Sequence, residues 1–191
     1  ASRSGQAILM PALTAGAPNA LSILSSRDGV NFTSFASETW TAPSGRLLDP
    51  SLARHADGRY VLAYAGGAPG TIGLATSSDL RRWEGAHEVR AGAGQVRSPN
   101  WVRGADGQLH LVATIGQGAQ VLTPDAKLTG WAAPVPMRGL DAGFGDTVVA
   151  ADGNGYVAVA REVAGKRLVL ARAAALSGPW RIESTIGGHD A

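Results

Sequence analysis

Acidic side chains are the residues of this sequence best suited to chemistry, and its 191 residues include 15 of them. Six aspartates have a structural explanation, because each stands in an Asp-Gly turn or at a polar corner where a carboxylate accepts backbone N–H groups. These are Asp57, Asp106 and Asp152 in the turns, and Asp28, Asp79 and Asp125 at the corners. Asp49 and Asp146 stand instead just before short apolar strands, where no turn needs an acid. They are therefore candidates for acid–base chemistry or for binding a polar ligand.

The elements that must position these carboxylates recur along the chain. Asp-Gly steps and a closing aromatic residue return at intervals of 46 to 51 residues, the aromatics being Phe32, Trp83, Trp131 and Trp180. Repeats of this length, built from short strands and glycine turns, are typical of a β-propeller. The sequence therefore predicts an all-β propeller with about four blades, as a single domain over residues 1–191. The predicted units are residues 6–40, 46–92, 96–137 and 143–186. No Asp-Gly hairpin precedes Gln6, so the first unit is expected to lack its innermost strand.

The spacing of polar residues before each turn predicts a shared site. Counting back from the turn aspartates reaches polar residues at the eighth and sixth positions. They are Asp49 and Ser98 at the eighth, and Ser51, Asn100 and Asp146 at the sixth. Both offsets are even, so these side chains share one face if the strands are regular. The first strand of a blade lines the channel of a propeller, which predicts one axial funnel. There the five side chains would either bind a polar ligand or cap strand ends and hydrogen-bond across the channel.

Composition argues against several classes of function. The formal charge is only +2 and the basic residues are scattered, so a nucleic-acid partner is not expected. No apolar run approaches the ~18 residues that a membrane helix needs. Cysteine is absent and no acidic or histidine cluster has metal-ligand spacing, so neither a metal nor another cofactor is expected. The compartment stays open, and secretion or a periplasmic location is compatible with the composition.

Two stretches carry a resemblance to a known family: Asp49-Pro50-Ser51-Leu52, and the segment from Ile72 to Trp83. The second reads Ile-Gly-Leu-Ala-Thr-Ser-Ser-Asp-Leu-Arg-Arg-Trp, and residues 19–32 repeat its corner. Both resemble the five-bladed β-propeller glycosidases of the clan that holds glycoside hydrolase families 43 and 32. The Asp-Leu-x-x-Trp corner is the more specific of the two motifs.

The resemblance implies hydrolysis of arabinose- or xylose-containing glycans by inward carboxylates from successive blades. It implies that Asp49 is the base or nucleophile and that Asp146 resembles the helper that positions and tunes it. Asp141 and Glu162 are further candidates for sugar binding. Asp141 lies in a glycine-rich loop shortly before Asp146, and Glu162 follows a strand near the rim.

The sequence also departs from the family pattern. Leu48 stands where related sequences often have arginine, and Asn100 stands where many have an acid. The glutamate that acts as general acid in the family would lie about one unit after Asp146, past Ala191. The family fold has five blades, and this chain supplies about four. A continuing segment or a second chain is therefore expected to complete the propeller.

Three functions remain open at this point. The first is a glycosidase of this clan. The second is a non-catalytic sugar-binding or structural propeller that has lost the general-acid blade. The third is a scaffold for protein partners, which a large exposed apolar patch on one rim would favour. A carbohydrate is the expected ligand of a glycosidase and of a sugar-binding propeller.

Overall fold

The computed structural model describes residues 7–14, 16–153 and 155–186. Every regular element in these residues is a β-strand, and paired strands are antiparallel. The strands are β1 (Ile8–Thr14), β2 (Ala17–Ser26), β3 (Thr33–Thr41), β4 (Leu48–Arg54), β5 (Tyr60–Ala65), β6 (Thr71–Ser77), β7 (Glu84–Arg90), β8 (Val96–Arg103), β9 (Leu109–Ile115), β10 (Gly118–Leu122), β11 (Val135–Pro136), β12 (Phe144–Asp152), β13 (Gly155–Glu162), β14 (Arg167–Ala173) and β15 (Arg181–Ile186). No helix within these ranges is long and apolar enough to cross a membrane.

The strands form four sheets, and each sheet is one blade of a propeller. Blade 1 contains β1 to β3, blade 2 contains β4 to β7, blade 3 contains β8 to β11 and blade 4 contains β12 to β15. The predicted all-β propeller with about four blades is therefore confirmed. Blade 1 has three strands in the described residues, as the missing hairpin before Gln6 predicted, and its β1 lies beside the inner strand β4 of blade 2.

Most of the turn and corner aspartates accept backbone N–H groups, as the sequence predicted. Asp57 Oδ1 accepts the backbone N–H of Arg59 at 2.9 Å, and Asp79 Oδ1 accepts two backbone N–H groups, each at 2.8 Å. The other aspartates that accept backbone N–H groups in this way are Asp28, Asp106 and Asp125. Asp152 differs, because it is the last residue of β12 and its carboxylate pairs with Arg172.

Three apolar cores hold the blades together, one between each pair of neighbouring blades. Trp83, Trp131 and Trp180 occupy equivalent places, each packed in or against the core that its blade shares with the preceding one. The predicted equivalence of the closing aromatics is confirmed for these tryptophans. Phe32, the corresponding residue of blade 1, is half-buried and lies outside the three cores. Each fully buried large side chain in these cores contributes roughly 1.5–3 kcal/mol, so the blades are stabilised mainly through their neighbours.

The four blades form an arc with two open end faces. Within the described residues no fourth core joins blade 4 to blade 1. Both end faces carry exposed apolar side chains, which are Ile8 and Met10 on β1, and Val148, Leu168 and Ile186 on blade 4. No strand pairs with the inner edge of β1 in the part of the chain that is described. Exposed apolar faces and unpaired strand edges are features that proteins normally cover.

Candidate functional site

A β-bulge occurs at the same place in the inner strands of blades 2, 3 and 4. In β4 the pairing jumps from Leu48 to Ser51, so Asp49 and Pro50 together oppose a single residue of β5. Ser98-Pro99 in β8 and Asp146-Thr147 in β12 form the same irregularity.

The first residue of each bulge has a left-handed backbone. Asp49, Ser98 and Asp146 have φ values of 49°, 48° and 47°, although this region favours glycine. A bulge re-aims the side chain that it carries, and a repeated strained conformation points to a functional position.

The three bulge residues form one polar line across three neighbouring inner strands. Asp49 Oδ2 accepts the backbone N–H of Ser98 at 2.9 Å. The Ser98 hydroxyl in turn lies 3.5 Å from Asp146 Oδ1. Residues that are far apart in sequence therefore meet where the three inner strands begin. The Asp-Gly turns lie at the opposite end of the same strands.

The structure corrects the predicted position of Asp146. Counting back from the turn aspartates placed it level with Ser51, whereas the bulges place it level with Asp49. The count failed because two residues separate the paired strand ends in the inner hairpin of blade 4, where five separate them in blades 2 and 3. Regular alternation also ends at a bulge, so an even offset does not keep side chains on one face across it.

Ser51 and Asn100 connect the inner strands one step further along. Ser51 Oγ accepts the backbone N–H of Trp101 at 3.0 Å, and Asn100 Oδ1 accepts the backbone N–H of Val149 at 2.9 Å. These bonds join blade 2 to blade 3 and blade 3 to blade 4. Hydrogen bonding across the channel was one of the two roles that the sequence left open for these residues.

Two arginines that sequence reasoning missed converge on Asp146. Arg161 Nε and Nη2 each lie 2.7 Å from Asp146 Oδ2, and Arg97 Nε lies 3.5 Å from Oδ1. The Arg97 contact is close in distance but is not aligned as a hydrogen bond. The only sequence signal was adjacency, since Arg97 precedes Ser98 and Arg161 precedes Glu162, and both were included among scattered basic residues.

Asp141 and Glu162 do not join the polar line. Asp141 Oδ1 accepts the backbone N–H of Gly139 at 3.2 Å within its own loop. Glu162 pairs with Arg167 across the β13–β14 hairpin. Adjacent residues of a strand point to opposite faces, so the orientation that brings Arg161 to Asp146 turns Glu162 away from it.

The site offers one carboxylate oxygen that is free of protein donors. Asp49 is exposed, and in the described residues its hydrogen bond to Ser98 uses Oδ2 alone. Asp146 differs, because both of its oxygens face arginine or serine donors. Asp49 is thus the group able to accept a proton or attack an electrophile, and Asp146 is fixed in place. Within the described ranges no cluster of three or more potential metal ligands is present.

Solved β-propeller glycosidases share the fold of this chain. A glutamate variant of the exo-β-1,3-galactanase from Phanerochaete chrysosporium, with β-1,3-galactotriose, has a TM-score of 0.70 at 15% identity, covering 97% of this chain and 48% of its own. The GH43 protein BlXynB from Bacillus licheniformis has a TM-score of 0.66 at 16% identity, covering 94% and 40%. The GH43 endo-arabinanase from Bacillus licheniformis has a TM-score of 0.67 at 16% identity, covering 99% and 79%.

These similarities establish the fold of the chain. It spans less than half the length of the first two proteins and about four-fifths of the endo-arabinanase. No protein-family model and no curated protein matches the sequence. Activity and ligand therefore have to be argued from the site.

Proposed function

We propose that this chain carries the sugar-binding end of a glycoside hydrolase-like propeller, with arabinose- or xylose-containing glycans as ligands. The single observation that carries the proposal is the polar line Asp49–Ser98–Asp146, which three equivalent bulges form near the start of the inner strands. Three strained positions pointing at one another are costly for a scaffold but useful for presenting polar groups to a ligand. The fold that these residues share with propeller glycosidases supports a glycan as that ligand.

In this proposal the two carboxylates have different tasks. Glycoside hydrolysis needs one carboxylate at the anomeric carbon, as base or nucleophile, and a second acid that protonates the leaving oxygen. Asp49 has a free oxygen and takes the first task. Asp146, held by Arg161, is a positioning residue that keeps Ser98 and the sugar in place. Glu162 is engaged by Arg167, so the described residues on the polar line include no carboxylate for the second task.

We further propose that another blade completes the propeller and brings the proton donor. The apolar side chains on the two end faces of the arc, and the unpaired inner edge of β1, are the surfaces such a blade would cover. The blade would come from a continuing polypeptide or from a second chain. A cysteine introduced at Leu168 and labelled with a polarity-sensitive dye tests this, because the chain has no other cysteine. Its emission should shift to the blue when the completing polypeptide is present, and an unchanged spectrum would contradict the idea.

A non-catalytic sugar-binding propeller is the second candidate, and Asn100 favours it. This amide stands where the resemblance predicts an acid, and its Oδ1 is occupied by the N–H of Val149. A site with one free carboxylate and no proton donor can bind a sugar without cleaving it. General acid–base assistance is worth about 10²–10⁴-fold in rate, so its absence would leave turnover very slow.

The decisive experiment combines hydrolysis and binding. Aryl arabinosides and xylosides report turnover, and calorimetry with arabino- and xylo-oligosaccharides reports binding. Asp49→Asn should weaken binding and remove any turnover, whereas Asp57→Asn, at the opposite end of the same strand, should leave both nearly unchanged. Turnover that depends on Asp49 identifies a hydrolase, and binding without turnover identifies the second candidate. Absence of both would overturn the proposal.

A further inference from the structure

We infer that the glycan bound at this site carries a carboxylate group, as a uronic acid residue does, and that Arg97 and Arg161 recognise it together. This inference rests on the proposed function, because it names the class of sugar for the same site. It starts from the charges around Asp146. Two guanidinium groups face this single carboxylate, and Arg161 alone already supplies two contacts of 2.7 Å.

Arg97 is the surplus cation. Within the described residues its side chain donates no hydrogen bond, and its Nε is shielded from solvent without a hydrogen-bond partner. A guanidinium offers five N–H donors in a planar fork, and a shielded donor without an acceptor is unfavourable. If the two arginines served only to hold Asp146, Arg97 would be expected to align with Oδ1. Its 3.5 Å contact through Nε leaves the Nη donors available for a further acceptor.

The two guanidinium groups also lie close enough together to share one carboxylate. Arg97 Nη2 and Arg161 Nη2 lie 3.4 Å and 3.5 Å from the point where a Cβ would stand at Gly145. The two nitrogens are therefore no more than about 7 Å apart. A carboxylate that accepts one hydrogen bond of ~2.8 Å on each oxygen can bridge such a gap. Gly145 has no side chain to intrude there.

A ligand can reach both groups. The side chains of Arg97 and Arg161 are 42% and 41% exposed, and they lie on the same side of the propeller as Asp49. Arginine favours carboxylates because its planar fork matches their geometry, and the pair gains strength where water is partly excluded. A sugar whose ring lies on the polar line can thus place an acidic substituent between the two guanidiniums.

Calorimetry on the full chain with matched oligosaccharides tests the inference. The probes are a xylo-oligosaccharide bearing a glucuronic acid residue, its carboxyl-reduced form, and a sulfated xylo-oligosaccharide. The acidic form should bind about tenfold or more tightly than the reduced form, the effect of roughly one charge-assisted hydrogen bond. Arg97→Gln should remove most of this preference and change the affinity for the reduced form less than about threefold. Arg97→Lys keeps the charge and should retain only part of the preference.

The control and the contrary outcomes are clear. Arg59→Gln removes the arginine that pairs with Asp57 in the turn after β4, at the far end of that strand from the site, and should change no affinity. Equal binding of acidic and reduced forms overturns this inference and leaves the proposed function standing, and this comparison needs no variant. Equal binding of the sulfated and acidic forms overturns the assignment to a carboxylate. If none of the probes binds, both the inference and the proposed function fail.

Discussion

Asp49 accepts the backbone N–H of Ser98 at 2.9 Å, so two bulge residues 49 positions apart lie side by side on neighbouring inner strands. The contact joins two left-handed positions, with φ of 49° and 48°. A conformation that costs energy in one strand is thus linked to the same conformation in the next. This link gives the site its geometry, and it suggests how stability and binding should separate on mutation.

Asp49→Gly should change the free energy of unfolding by no more than about 1.5 kcal/mol while it weakens glycan binding. Glycine adopts this φ without the ~1–2 kcal/mol that a Cβ costs in the left-handed region. Its greater backbone entropy in the unfolded chain offsets about 0.5–1 kcal/mol of that gain, and the loss of the hydrogen bond to Ser98 costs about 0.5–1.5 kcal/mol. Ala53→Gly, in the regular part of the same strand, lacks the gain and also removes a methyl group that packs against an apolar core, so it should lose about 1–2 kcal/mol. Urea denaturation measures both, and a loss above about 2 kcal/mol for Asp49→Gly would show that its carboxylate holds the bulge.

Asn100 should matter for stability through its oxygen alone. Asn100→Leu leaves the N–H of Val149 without its acceptor and should cost about 1–3 kcal/mol. Asn100→Asp keeps an acceptor at the same place and should cost much less near neutral pH. Urea denaturation of both variants checks this. Equal losses would mean that the amide N–H₂ group, rather than the oxygen, makes the important contact.

The buried phenol of Tyr64 should make the folded state less stable at alkaline pH. Burial, and then the negative charge of Glu88, raises the pKa of Tyr64 to about 12. The folded state therefore favours the neutral phenol. This contribution is complete below the unfolded pKa of about 10 and is lost as pH rises through the folded value. Tyr64→Phe removes it, so the difference in unfolding free energy between wild type and variant should change between pH 9 and pH 12. Parallel curves over that range would contradict the assignment.

The hydrogen-bonded carboxylate of Asp79 should make the folded state less stable at acidic pH. The backbone N–H groups of Arg82 and then Arg81 hold the pKa of Asp79 below its usual range. A lowered folded pKa gives stability that is present above the unfolded pKa of about 3.9 and is lost as pH falls through the folded value. Asp79→Asn keeps an acceptor but has no carboxylate to protonate. Its thermal midpoint should therefore fall less steeply below about pH 4 than that of the wild type, and identical slopes would exclude the effect.

The sequence by itself determined the architecture. Recurring turns, corners and aromatics predicted the four blades, because each blade is a local unit whose strands pair with their chain neighbours. The corner of Asp79 is the clearest case, since its hydrogen bonds reach only two and three residues along the chain. Trp83, Trp131 and Trp180 pack equivalently because the same local unit stacks on its neighbour three times. Asp49 and Asp146 were predicted to lie outside the turns and corners, and both lie in bulges of inner strands.

Only the tertiary structure decided how the site is assembled. The count from Asp152 misplaced Asp146 because the inner hairpin of blade 4 is shorter than those of blades 2 and 3, and the spacing of residues does not show where the paired strands end. The convergence of Arg97 and Arg161 depends on two strands from different blades, and their sequence neighbours do not reveal it. Pairing within a blade is a short-range property that sequence spacing records. The approach of one inner strand to the next is fixed by the packing of whole blades, which brings side chains together whatever their separation along the chain.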